Sequence, residues 1–191
     1  MTIGDDFESV LAAARTGAEW AVGTLYRDLH PAVLRYLRAQ DRSEAEDLDS
    51  QTWLDVARGL RGFRGDETGF RRWVFAIAHR RLIDHRRRVA RRPIGSITPG
   101  SLVDQLPGGD VEEEAMTIVS TEAALRLIAA LAPDQAEVVS LRVLGGFSSK
   151  EVAKIMGKKA GAVRVLQHRA LLALAKELSR DPVTKRPSPA M

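Results

Sequence analysis

Phe147-Ser148-Ser149-Lys150-Glu151-Val152-Ala153-Lys154-Ile155-Met156-Gly157-Lys158-Lys159-Ala160-Gly161-Ala162-Val163-Arg164-Val165-Leu166-Gln167-His168-Arg169-Ala170 has the order of two helices joined by a tight turn. Ser148 or Ser149 stands where a helix start wants a side-chain acceptor, and Gly157 permits the left-handed backbone that ends the first helix. Val152, Ala153, Ile155, Met156, Val163 and Leu166 can close a small core between the two, with Ala153 small enough for the helices to cross. The exposed side of the second helix then offers Lys159, Arg164, Gln167, His168 and Arg169. These donors suit phosphates and base edges in a major groove wide enough for one helix. Core spacing, cap, turn and basic face coincide, so the segment reads as a DNA-binding helix-turn-helix rather than as an ordinary solvated hairpin.

Upstream, helical periodicity covers Leu125, Ile128 and Leu131, breaks at Ala132-Pro133-Asp134, and resumes over Val138, Val139, Leu141, Val143 and Leu144 before Gly145-Gly146. Downstream, the last helix is expected from Ala160 to Leu178, with residues 179–191 a frayed tail. Residues 93–117 contain Pro93, Pro99 and Pro107, four glycines and no periodicity, and read as an interdomain linker.

The first third is again helical. Trp20, Leu25, Leu29, Val33, Leu34 and Leu37 recur on one face, with Pro31 expected to start a new helix or kink a long one. A second helix is expected from an N-cap at Ser43, with Glu44, Glu46 and Asp47 in its first turn, to about Gly59–Gly62. After a glycine-containing loop at 63–69, Phe70, Trp73, Val74, Ile77, Ala78 and Leu82 mark a third helix ending before Pro93. Strand alternation is absent. The fold class is all-α: two small helical domains, 1–92 and 118–178, on either side of the linker.

The net charge of +4 over 191 residues conceals a pattern. Residues 1–70 carry 8 basic and 13 acidic side chains, and 71–92 carry nine arginines against Asp84 alone. Residues 93–118 then hold five carboxylates and no Lys or Arg, and 119–191 hold 12 basic against 6 acidic side chains. Two basic blocks in two helical segments favour a polyanionic partner. The nine arginines repel one another, and a polyanion relieves that repulsion. Phe70, Trp73 and Ile77 among them stand at core spacing, although aromatic rings beside arginines also suit unpaired bases.

Zero cysteines exclude disulfides, thiolate zinc sites and cysteine nucleophiles. His79 and His85 lie six apart, where two helical metal ligands want i, i+4. No cofactor, metal or catalytic residue is expected. No apolar run approaches the roughly 20 residues of a membrane span, and the acidic start lacks signal-peptide order, so a cytoplasmic location without membrane insertion is expected.

Three motifs in order carry a family resemblance. Ala45-Glu46-Asp47-Leu48 through Thr52-Trp53-Leu54 resembles the polymerase-binding segment of the extracytoplasmic-function (ECF) sigma factors of the sigma-70 family. Phe70-Arg71-Arg72-Trp73 with Ile77-Ala78 and Leu82-Ile83-Asp84-His85 is similar to their promoter-melting helix, and Ala162-Val163-Arg164 with His168-Arg169-Ala170 to their recognition helix. The match spans about residues 18–92 and 119–178.

The resemblance implies a non-catalytic initiation factor with a region 2-like and a region 4-like domain. Glu46, Asp47, Leu48, Gln51 and Trp53 would meet the clamp helices of the largest subunit of core RNA polymerase. Phe63, Arg64, Phe70, Arg72, Trp73, His79, Arg80, Arg81, Arg87 and Arg88 would serve the minus-ten element. Lys159, Arg164, Val165, Gln167, His168 and Arg169 would read the minus-thirty-five duplex. The polymerase flap region and an anti-sigma factor are further implied partners. The chain departs from the family at Ser50-Gln51, at Arg80 and at Val165-Leu166, so no promoter sequence carries over. An autonomous helix-turn-helix regulator is the alternative; it leaves the arginine-rich helix without a task.

Overall fold

The computed structural model describes residues 3–91 and 123–180, and among these every regular element is helical. A 3-10 turn at Gly4–Asp6 leads into α1 (Phe7–Arg15), followed by α2 (Glu19–Gln40), α3 (Ala45–Gly59), a second 3-10 turn (Leu60–Gly62) and α4 (Glu67–Arg91). The second half has α5, described over 123–129, then α6 (Pro133–Val143), α7 (Ser149–Met156) and α8 (Ala160–Arg180). The linker reading of 93–117 and the tail beyond 180 fall outside the described residues.

In the first half, α1 to α4 enclose Leu29, Tyr36, Leu37, Leu48, Phe70, Phe75 and Leu82, each no more than 1% exposed. Pro31 starts no new helix: α2 continues through it, and Pro31 sits on the exposed side. Ser43 is not the cap of α3. Its hydroxyl donates to Asp41 Oδ1 at 2.8 Å, and the same oxygen accepts the Glu44 backbone N–H at 3.3 Å, which closes the turn before α3; the N-cap is Glu44, with no side-chain capping bond. The helix expected from Phe70 starts at Glu67, whose carboxylate accepts the backbone N–H groups of Ile3 and Gly4 at 2.9 and 3.1 Å. Trp20, expected on the apolar face of α2, is 60% exposed, and Val143 of α6 is 70% exposed.

In the second half, Ser148 is the N-cap of α7, and a reciprocal box closes its first turn. Ser148 Oγ accepts the Glu151 N–H at 3.3 Å while Glu151 Oε2 accepts the Ser148 N–H at 2.8 Å. Gly157 ends the helix at φ +63°, a conformation that costs a side-chain-bearing residue but not glycine. Val152, Ala153, Ile155, Met156 and Val163 are all buried and Leu166 packs against them, as their spacing requires.

The capping-box hydrogen bonds hold the Glu151 carboxyl below the ordinary glutamate range. A depressed carboxyl pKa contributes stability that is present above the unfolded value and is lost as pH falls through the folded one. Glu151→Gln keeps a capping-capable side chain but not the charge. Its Tm should therefore lie slightly below that of the parent at neutral pH and converge with it under acid, in thermal melts across pH. Ser148→Ala should cost about 1 kcal/mol in the same assay.

The halves are not separate in space. Tyr36 Oη donates to Glu137 Oε1 at 2.7 Å, Gln40 Nε2 donates to Ser140 Oγ at 3.0 Å, and the rings of Phe75 and Phe147 meet edge-on at 4.9 Å. One continuous apolar core runs from α2 and α4 into α6 and α7.

Candidate nucleic-acid interface

α4 presents two working stripes. Residues 73, 77 and 80 recur at helical spacing and turn toward α3. Here Trp73, Ile77 and Arg80 line a shallow pocket of about 410 Å³ with Asp55, Arg58 and Gly59. The indole lies directly on Gly59, where a Cβ would come within 2.7 Å of its ring, so only glycine permits this approach. Phe63 stacks at 5.1 Å from Trp73, and Arg64 is fixed over the loop by donating to the carbonyls of Arg61 and Phe63 at 2.9 and 2.8 Å. Arg80, Arg87 and Arg88 are exposed, Arg87 standing 3.8 Å from Asp84 in an intrahelical pair. Half-exposed rings beside exposed guanidinium groups suit unstacked bases and their phosphates.

Part of the expected minus-ten set does not reach this surface. Phe70 is 1% exposed, packed between Phe7 at 5.8 Å and Phe63 at 5.3 Å, and is a core residue. Arg81 is engaged through Nε with Asp55 Oδ2 at 2.7 Å, joining α4 to α3. His79 and Arg72 turn to the second half, the former bound to Glu137 and the latter near Glu151. The second stripe, 71, 75, 79 and 86, is therefore covered: Arg71 Nη2 donates to the Gly145 carbonyl at 3.4 Å, and Arg86 Nη1 reaches Glu137 Oε2 at 3.5 Å.

α3 presents Glu46 and Asp47 to solvent and leaves Gln51 and Trp53 half-buried. Leu48 is the exception: at 1% exposure it belongs to the core of the free chain. The Trp53 indole donates to Asp49 Oδ1 at 3.2 Å, Asp49 Oδ2 lies 3.0 Å from His30 Nδ1, and Tyr26 stacks on His30 at 4.5 Å. Burial raises the Asp49 carboxyl above its ordinary range, against the lowering pull of His30 and Trp53. This network holds Trp53 upright beside an apolar groove of about 420 Å³ lined by Val22, Tyr26, Val56 and Leu60. Trp20 and Leu54 are exposed on the same two helices. The sequence reading missed Tyr26, Trp20 and Leu54 as surface apolar groups, although 47, 51 and 54 share one helical stripe.

Lys159, just before α8, and Arg164, Val165, His168 and Arg169 on it are exposed and Gln167 is half-buried, so none of the expected reading set lies in the core. Val165 contributes apolar contact only. Leu171, Leu172 and Leu178 extend an exposed apolar strip along the same helix, which the sequence reading did not single out.

The superficial histidine pair comes apart: His79 faces Glu137, while His85 Nε2 lies 3.2 Å from Asp41 Oδ2 at the other side of the helix. Among the described residues no group of three or more His, Cys, Asp or Glu side chains could hold a metal ion.

Residues 25–92 match the family model of sigma-70 region 2, and residues 121–174 match that of sigma-70 region 4. The chain belongs to the ECF sigma factors of the sigma-70 family. This sigma factor is 32% identical over 180 residues to the ECF RNA polymerase sigma factor ShbA of Streptomyces griseus, covering 87% of the chain and 94% of that relative. It is 34% identical over 173 residues to the ECF RNA polymerase sigma factor BldN of Streptomyces coelicolor, covering 88% of the chain but only 64% of BldN. A solved structure of CnrH in complex with the cytosolic domain of CnrY shares the fold, with a TM-score of 0.64 at 21% identity over 93% of the chain and 99% of that one. As a sigma factor it works with core RNA polymerase and promoter DNA in transcription initiation. Among the described residues no helix is long and apolar enough to cross a membrane.

Proposed function

We propose that the sigma activity divides among three surfaces. The α2–α3 face, with Glu46, Asp47, Gln51 and Trp53 beside the Tyr26 groove, binds the clamp helices of the largest polymerase subunit. The 63–66 loop, the first turn of α4 and its Trp73–Arg80 stripe, with Phe63, Arg64, Arg87 and Arg88, capture bases of the minus-ten element as it opens. Unstacking costs a few kcal/mol per step, and contacts made only to the open strand offset that cost. The basic face of α8 reads the minus-thirty-five element as a duplex, and the second half also meets the polymerase flap region. Region 2-like work thus lies in 1–92, region 4-like work in 118–178, with 93–117 spanning them. The chain itself catalyses nothing, acts in the cytoplasm, and is restrained by an anti-sigma factor, in line with the solved complex of the like-folded sigma factor RpoE with the anti-sigma factor NepR from Bartonella quintana.

The observation that carries this reading is the outward, unobstructed array Lys159, Arg164, His168 and Arg169 on a properly capped helix-turn-helix. Arg169→Ala should weaken duplex binding by about 1–3 kcal/mol if it pairs with a guanine edge, measured as fluorescence anisotropy on a mapped promoter fragment. The decisive test is run-off transcription by purified core polymerase on fragmented genomic DNA, with and without the chain. New discrete transcripts dependent on the chain are expected. Sequence-specific duplex binding without core binding or transcripts would favour the autonomous regulator instead.

A further inference from the structure

Glu137 is 0% exposed, yet its carboxylate is met by three donors from the other half of the chain. Tyr36 Oη stands at 2.7 Å, His79 Nδ1 is in direct contact, and Arg86 Nη1 lies at 3.5 Å, itself steadied through Nη2 by Gln40 Oε1 at 2.9 Å. Burial, then the neighbouring carboxylate, raises the Tyr36 hydroxyl well above its ordinary range, which keeps it a donor. A hydroxyl, an imidazole and a guanidinium converging on two oxygens form an anion site, chemically the kind that takes a nucleic-acid phosphate. In this chain the anion is supplied from within.

We propose that Glu137 is an intramolecular stand-in for backbone phosphate, latching the second half over the 71–75–79–86 stripe of α4 and so competing with nucleic acid for that stripe. The inference rests on the sigma reading of α4 and adds a restraint to it. In the closed chain Arg71, Phe75, His79 and Arg86 are occupied by Gly145, Phe147 and Glu137, whereas the reading face of α8 stays exposed. The closed chain therefore retains its duplex-reading surface while half of its arginine-rich helix is withheld. A buried ion cluster contributes little net stability, because desolvation offsets attraction. Opening must also part Phe75 from Phe147, and a strand supplies that cost through its differential affinity for the open chain.

The chain contains no cysteine, so Glu8→Cys and Lys176→Cys, both at exposed positions, allow a donor–acceptor dye pair to report the separation of the halves. The probe is an unlabelled single-stranded oligodeoxynucleotide at low salt. High energy transfer is expected in the free chain, falling as the strand saturates it. Glu137→Gln, which keeps a Tyr36 partner but removes the charge, should start at low transfer and bind the strand at least about fivefold more tightly. Unchanged transfer at saturating strand, or a Glu137→Gln chain matching the parent in transfer and affinity, would overturn the latch. Should Glu137→Gln lose helical circular dichroism, the parent's own titration decides. Run-off transcription by the labelled parent separates the two readings: transcripts without any opening by strand sink the latch alone, and absence of transcripts sinks the sigma assignment whatever the dyes report.

Discussion

Phe70→Ala should destabilise the chain by about 3–5 kcal/mol, lowering Tm on the order of 10 °C, before any effect on promoter DNA can be read. Phe70 sits in α4 at its junction with α1 and the 63–66 loop, in ring contact with Phe7, Phe63 and Trp73. Truncation removes a whole ring from a site whose neighbours are held by three helices and cannot collapse into the gap. Trp73→Ala is the informative contrast. Its ring is half-buried and lines the pocket with Arg80, so it should cost less stability and more promoter opening. The pair is checked by denaturant melts alongside permanganate footprinting of the open complex. A Phe70→Ala chain of full stability but defective opening would return Phe70 to the DNA-contacting set.

The contrast shows where the sequence was legible and where it was not. Helical periodicity found α2, α4, α6 and α8, because an apolar stripe of period 3.6 leaves a one-dimensional signature. The α7 turn was equally plain, since Ser148, Glu151 and Gly157 act on their immediate neighbours. The start of α4 was missed although its signal is local: Asp66 Oδ1 accepts the Gly69 N–H at 2.7 Å and caps a helix that begins at Glu67, whose carboxylate also accepts the Ile3 backbone N–H 64 residues away. α1 went unnoticed although Phe7, Val10, Leu11 and Ala14 stand at i, i+3, i+4 and i+7.

The candidate site was legible in composition but not in direction. The density of arginine in 71–92 announced a polyanion, yet no pattern distinguishes the arginines lining the Trp73 pocket from those facing the second half. That depends on where α6 packs, and Glu137 reads in sequence as one more surface carboxylate. Periodicity also marks a leucine as apolar without saying whether it is lining or surface, which is why Leu48 and Phe70 entered the site lists while Trp20 and Leu54 did not.

The two adjacent residues Asp47 and Leu48 turn this into a measurement. Leu48→Ala should cost about 2–5 kcal/mol, because a 1% exposed side chain in a close-packed core leaves a cavity when truncated. Any loss of core-polymerase association in that variant should follow its unfolded fraction and recover at lower temperature. Asp47→Arg reverses an exposed charge, and surface changes of this kind stay within about 0.5 kcal/mol of the parent. Its Tm should therefore hold while association with core polymerase weakens at least tenfold, about 1.4 kcal/mol, in a titration of labelled chain with core. The opposite partition, a stable Leu48→Ala chain that fails to bind core and an Asp47→Arg chain that binds normally, would mean that α3 rotates on engagement and offers its buried face to the polymerase. Such a rotation would expose Thr52 and Val56 as well, 0% and 4% exposed in the free chain, so the conservative Val56→Ala would then weaken binding beyond what its unfolded fraction explains.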